Sequence, residues 1–198
     1  MGGTAESAMM DPSMPSPLGH ALAGLTVGWL ADSDPPSTGR RLRDTLTPLA
    51  AGCAAFAVLP DADLLVFDWH RTATHSVTAT VVIFIVLLIV ARGVTGKVTR
   101  AAFLLCGTLA AAHATHLLLD WLAMDPHPPS GIQLFWPFSG RFFVSGLDIF
   151  PGTERRLLMP GALMVNAHSI MWELLIMGPI TTVAWFIRRA RTRTVQGG

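Results

Sequence analysis

Five of the seven histidines and three of the aspartates fall in four short motifs. These are Gly19-His20, Leu59-Pro60-Asp61-Ala62-Asp63, His70-Arg71-Thr72-Ala73-Thr74-His75-Ser76, and His113-Ala114-Thr115-His116-Leu117-Leu118-Leu119-Asp120. On a helix, His116 and Asp120 are one turn apart, and His113 precedes His116 by three residues, so the three share a face. Such a pair can give two ligands to one ion, or one ligand and the carboxylate that orients it, or simply a hydrogen bond. Asp61 and Asp63 follow a proline in a tight turn. Two nearby carboxylates that both stay ionised call for a cation or a basic partner, because like charges raise each other's pKa. The plainer alternative is a solvated turn that ends a helix.

The set His20, Asp61, Asp63, His70, His75, His116 and Asp120 offers nitrogen and oxygen donors and no thiolate. That chemistry suits zinc, with manganese the alternative, rather than an iron-sulfur centre. More than four such donors favour two or more ions. A bound metal lowers the pKa of its water to about 7, which supplies a nucleophile at neutral pH. Asp61, Asp63, Arg71 and His75 are then the candidate catalytic groups, one of the last-named acids or imidazoles acting as general base or acid. Arg71 and Arg141 have the fork geometry that recognises phosphate, and Ser76 and Trp136 are further candidates to touch substrate. Ser76 is equally well placed as the N-cap of the helix that follows it. His113, His168 and Glu173 are candidate additional ligands, with helix pairing as the alternative for the last two. His127, in a proline-rich stretch, reads as a solvated bystander.

The elements that must position these residues are apolar. The chain is 51% hydrophobic and 14% charged, against roughly 25% charged in soluble domains, and its mean hydropathy is +0.49. A net charge of +1, with no aromatics among the basic clusters, offers no footprint for nucleic acid. Cys53 and Cys106 have neither zinc-knuckle spacing nor disulfide density and read as small core residues. Residues 1–17 read as a flexible tail without the basic start of a signal peptide, and residues 18–193 as one membrane-embedded domain.

Five apolar segments can be drawn, about Leu18–Ala31, Leu46–Leu59, Ser76–Ala91, Ala101–Met124 and Leu157–Ile187. The first three are shorter than the ~20 residues of a full span, and Gly178-Pro179 predicts a kink or an early end in the last. Trp29, Trp69, Trp121 and Trp185 lie near segment ends, where interfacial anchors are found.

Five alternating spans put Arg40, Arg41, Arg43, Arg92, Lys97, Arg100, Arg188, Arg189, Arg191 and Arg193 on one side, ten of the 14 basic residues. The positive-inside rule makes that side cytoplasmic and places the N-terminus outside. On the same topology the ligand-type residues come to the outer rim. His116, for instance, lies 15 residues beyond Ala101, a rise of about 22 Å. Residues 125–156, rich in proline, glycine and aromatics, predict an irregular outer loop folded over the site.

The order of these motifs, followed by Gly131-Ile132-Gln133-Leu134-Phe135-Trp136-Pro137, resembles the YdjM-type family over about residues 18–141. Members are described as inner-membrane, metal-dependent hydrolases, some LexA-regulated. The resemblance implies a site built from His20, Asp61, Asp63, His70, Arg71, His75, Ser76, His116 and Asp120. The chain departs from the family pattern at Thr72-Ala73, where a glycine is usual, and at Pro128-Pro129-Ser130, where a Thr-Pro pair is common. The arrangement is also loosely similar to the helical core of zinc-dependent phospholipase C, which implies phosphoester hydrolysis only by analogy of fold.

The expectation is an all-α integral inner-membrane protein with about five transmembrane helices. It would cleave a lipid or lipid-linked phosphoester with a metal-activated water at the outer face. The competing expectation is a non-enzymatic metal-binding membrane protein, a carrier or an assembly factor. Oligomeric state is not legible.

Overall fold

The computed structural model describes residues 14–32, 45–65, 70–126 and 128–196. Trp69, His127, Arg40, Arg41 and Arg43, like most of the N-terminal tail, lie outside the described residues.

The described residues form five α-helices and no strands: α1 Pro17–Ala31, α2 Pro48–Val58, α3 Val77–Thr95, α4 Arg100–Leu122 and α5 Ala162–Gln196. Local chemistry sets where the first four begin. Ser16, Thr47, Ser76 and Thr99 each accept a hydrogen bond from the backbone N–H three residues on, and Pro17 and Pro48 occupy the first helical turn, where a missing N–H costs nothing. Gly96, at φ +75°, ends α3 in the left-handed conformation that favours glycine.

Three helices are long and apolar enough to cross a membrane: α3, α4 and residues 162–191 of α5. α1 and α2, with 15 and 11 residues, fall short of the ~20 expected of a span. The reason is visible in α2, which passes at Leu59 into a 3-10 turn, Leu59–Leu65, that carries Asp61 and Asp63. α5 does not end at Gly178-Pro179 but continues through Pro179 as a helix of 35 residues.

α1 is the central helix, packed against α2, α4 and α5, and α4 also packs on α2 and α3. The contact of α1 with α2 is backbone to backbone. A Cβ on Gly24 would lie 2.4 Å from the Cys53 carbonyl, and one on Gly28 would lie 2.6 Å from the Ala50 Cα. Small residues four apart are how helices pack closely where the surrounding lipid gives no hydrophobic drive. Cys53 and Cys106 are both free and buried, as expected of core residues. α3 has no buried residue; Val82, Ile85, Val86, Ile89 and Val90 all face outward, a surface that only lipid or another protein would cover.

Two expectations change. Trp29 is buried against Ala50 and Ala184, and its indole N–H donates to the Thr45 carbonyl at 2.7 Å, so it is a core residue rather than an interfacial anchor. Met14 and Ser16, read as part of a tail, are also buried. Far from them, Arg188 of α5 meets Asp32, just past the end of α1, at 3.0 Å with both side chains buried, and Arg191 donates to the Leu30 carbonyl at 2.8 Å. Cations there complement the negative end of the α1 dipole.

Residues 123–126 and 128–161 are irregular, with isolated bridges Ala123 to Phe150 and Ile132 to Phe143. The loop is tied to the helical body by Val77 N–H to Leu134 O, Gln133 N–H to Arg71 O and Thr153 N–H to Met14 O, each 2.9–3.0 Å.

Candidate metal centre

The start of α1, the turn after α2, the 3-10 turn Ala73–His75 before α3, and the end of α4 converge on one point. His20, His75, His116 and Asp120 are essentially inaccessible there. His116 Nε2 lies 3.1 Å from Asp120 Oδ2 and 3.7 Å from Asp61 Oδ1. His75 Nε2 lies 3.5 Å from Asp120 Oδ2 and 3.7 Å from Asp61 Oδ1. His20 Nε2 reaches the other side of the same carboxylate, 3.4 Å from Asp120 Oδ1, and its ring stacks on that of His116 with centroids 3.8 Å apart.

Their bonds to the rest of the protein fix which atoms face inward. His116 Nδ1 donates to the Ala57 carbonyl at 2.7 Å, so its Nε2 presents a lone pair. Thr74 Oγ1 donates to Asp63 and lies 2.9 Å from His75 Nδ1, which makes that nitrogen the donor and turns the His75 Nε2 lone pair inward as well. Yet His20 Nε2, His75 Nε2, His116 Nε2 and both Asp120 oxygens have no hydrogen-bond partner. Buried polar atoms without partners are costly, and here they point at one another.

That combination fits a cation. Donors about 2.0–2.1 Å from a tetrahedral zinc stand about 3.3–3.4 Å apart, close to the separations from 3.1 to 3.7 Å seen among His75, His116, Asp61 and Asp120. Two groups can hold a metal ion: His20, His116 and Asp120, and Asp61, His70 and His75. Asp120 touches donors of both. The electrostatics agree. Burial pushes the His75 imidazole down, but Asp61, Asp63 and Asp120 outweigh it and lift it to about 9, so these carboxylates favour a positive charge at the inward Nε2, either a proton or a metal ion that displaces it. Burial would raise Asp61, and His75 and His116 beside it bring it below the ordinary carboxylate range instead. Asp63, also buried, is held low by His70, His75 and Thr74. The pocket therefore favours positive charge.

Asp63 and His70 sit one layer out. Asp63 Oδ1 accepts from His70 Nδ1 at 2.7 Å, and Arg155 donates to His70 Nε2 at 2.6 Å. Arg155 was not among the residues singled out in the sequence. Nothing local marks it, since it lies 85 residues beyond His70 in an irregular stretch.

Arg71, at φ +70°, turns its guanidinium to Asp125 at 2.7 Å, and Asp125 also accepts from Gly131 N–H at 2.6 Å. Ser76 is fully buried, its hydroxyl capping Ala79 N–H and donating to the Ala73 carbonyl at 2.7 Å. His113 bonds Thr80 of α3 at 2.9 Å. Exposed His168 stacks on Trp172, with centroids 6.3 Å apart. Glu173 is buried and accepts from both the backbone and the hydroxyl of Ser16, the pairing alternative for that residue. Trp136 is partly exposed in the loop, and Arg141 lies over Phe143, its guanidinium carbon 6.0 Å from the ring centroid.

Beside the cluster, a cavity of about 820 Å³ opens between α1, the end of α2 and α5. Its walls are mainly apolar, with Asp61 and Arg155 among the lining residues.

The model of the YdjM inner membrane protein family matches residues 14–192. The chain belongs to that family. The match begins at Met14, the first described residue, and takes in every donor of the cluster. No curated protein and no solved structure matches the chain.

Proposed function

We propose that this YdjM-family membrane protein is a metal-dependent hydrolase of a lipid or lipid-linked phosphoester. The observation that carries the reading is the convergence of buried, unpartnered imidazole and carboxylate donors beside an apolar cavity. His75, His116, Asp61 and Asp120 would hold a zinc ion, with His20 beside the other Asp120 oxygen as a further donor. Zinc so bound supplies a water that ionises near neutral pH and an electrophile for the phosphoryl oxygen.

The chain's own residues have distinct tasks in this reading. Ala57 O holds the His116 ring, and Thr74 Oγ1, itself bonded to Asp63, holds the His75 ring, each with Nε2 turned inward. Asp61 is the donor that also lines the cavity, which suits it to take a proton from the attacking water. The apolar walls exclude bulk water and receive the aliphatic part of the substrate. The ligands gather at one end of the helices, whereas Arg92, Lys97, Arg100 and Arg188 lie toward the other. By the positive-inside rule the site then faces the outside of the inner membrane, with α1 and α2 as short helices beside the three spanning ones.

The test has two arms on purified protein. Elemental analysis should find zinc at one or two equivalents, and vesicles carrying phospholipid or polyprenyl phosphate should be hydrolysed by the wild type but not by Asp61→Asn. Absence of bound metal, or full activity in Asp61→Asn, overturns the reading.

A further inference from the structure

Arg71 is the cation that the sequence offers for phosphate, but its guanidinium is already engaged by the buried Asp125 carboxylate at 2.7 Å. Arg155 differs in two ways. It lines the cavity together with Asp61. Its bonds run to the neutral acceptors His70 Nε2 at 2.6 Å and Met14 S at 3.5 Å, and among the described residues no carboxylate pairs with it. A guanidinium has five N–H donors, and Arg155 is an exposed member of the cavity lining, so the donors not used by His70 and Met14 are open to an incoming ligand.

Most of the remaining cavity wall is of another kind. Pro17, Ala55, Val58, Leu59, Leu64 and Ile170 make it mainly apolar, and Glu154, the second carboxylate on the wall, is paired with Arg156 at 3.0 Å; about 820 Å³ is ample for an alkyl chain beside a head group. A small inorganic anion would leave that surface unfilled. An apolar ligand without charge would leave the Arg155 donors unanswered.

We infer that Arg155 binds the anionic phosphate head of a lipid-like substrate whose aliphatic chain occupies the cavity between α1, α2 and α5. The inference rests on the hydrolase reading for its location, but it concerns binding, and it is tested without turnover. Arg155 sits on the irregular stretch just before α5, so this stretch brings the recognising cation to the ligand cluster.

Calorimetry on the full-length protein in an uncharged detergent, with decyl phosphate, decanol and inorganic phosphate as probes, separates the contributions. Decyl phosphate should bind at least tenfold more tightly than inorganic phosphate. Arg155→Met should weaken decyl phosphate tenfold or more and Arg155→Lys by less, while decanol binding stays unchanged in both and shows that the cavity is intact. Unaltered decyl phosphate affinity in Arg155→Met overturns the inference, as does equal weakening of decanol, or inorganic phosphate binding as tightly as decyl phosphate. Loss of hydrolysis in Asp61→Asn with Arg155-dependent binding retained supports both readings. An enzyme that never turns over but binds decyl phosphate through Arg155 removes the hydrolase reading alone.

Discussion

His116 Nδ1 donates to the carbonyl of Ala57 at 2.7 Å, and that bond decides the chemistry of the opposite ring nitrogen. Ala57 is the penultimate residue of α2, where carbonyls lack helical partners. The imidazole supplies one of the missing donors, and in return its Nε2 is held as a lone pair facing Asp120 and Asp61. One contact thus joins α4 to α2 and sets a ligand's tautomer.

The first prediction concerns the metal. His116→Ala and Asp120→Ala should each lower the metal content of purified protein at least tenfold, measured by elemental analysis. Chelation of the wild type should lower Tm as well, because a metal held only by the folded state adds its binding free energy to stability. With free metal at about 100 times Kd that is about 2.7 kcal/mol. At roughly 2–4 °C per kcal/mol for a chain of this size, the drop should be about 5–11 °C. Unchanged Tm after complete removal of metal would count against the centre.

The second concerns Glu173. Its carboxylate accepts from the backbone and the hydroxyl of Ser16, and lies 2.9 Å from where a Cβ of Gly19 would be. It therefore anchors the start of α1 immediately before His20. Glu173→Ala should destabilise the protein by about 1–3 kcal/mol, since buried donors lose their acceptor, and should weaken metal binding without removing a ligand. Glu173→Gln, which keeps an acceptor oxygen, should recover part of both. Metal titration beside thermal melts distinguishes this from a ligand role, in which the glutamine would bind no better than the alanine.

What could be read from the sequence was what is local. Ser16-Pro17 and Thr47-Pro48 announce helix starts because cap and proline act within one turn, and the spacing of His116 and Asp120 is a property of a single helix. The convergence of Gly-His, Asp-x-Asp and His-x-x-x-Asp was legible because each motif sits at the same end of its apolar segment. Arg155 was not, because its partner His70 is 85 residues away and no periodicity links an irregular segment to a helix. The Arg71–Asp125 pair was missed for the same reason, being 54 residues apart. Gly24-x-x-x-Gly28 did carry a signal, small residues at helical spacing, although only the neighbour α2 gives that signal its meaning. Trp29 reads as an anchor until Ala50 and Ala184 are seen to cover it.

The third prediction follows from that contact. A Cβ at position 28 would meet the Ala50 backbone at 2.6 Å and 3.2 Å, and backbone cannot swing aside as a side chain can. Gly28→Val should force α1 and α2 apart, with an overpacking penalty of about 1–3 kcal/mol. Because His20 rides on α1 and Asp61 on the 3-10 turn that continues α2, the same variant should lose metal affinity. Gly93→Val, where nothing lies within 4 Å of the added carbon, is the control and should change Tm little. Equal melting of the two variants would refute close packing as the reason for the glycine.

The last prediction concerns the loop. Gly131 has φ +94°, and a Cβ there would lie 2.1 Å from the Phe143 carbonyl oxygen, so both conformation and space demand glycine. Its N–H is also one of two donors to Asp125 Oδ2, the other being Arg71. Gly131→Ala should therefore shift the loop and loosen Arg71, while leaving the donors on α1, on the turn after α2 and on α4 in place. Metal content should stay near the wild-type value, and the proposed phosphoester hydrolysis should fall about tenfold or more, the scale expected when a positioning element is displaced by about 1 Å. Parallel assays of bound metal and turnover decide it: loss of both together would mean that the loop supports the metal centre itself, and loss of neither would mean that the loop takes no part in positioning.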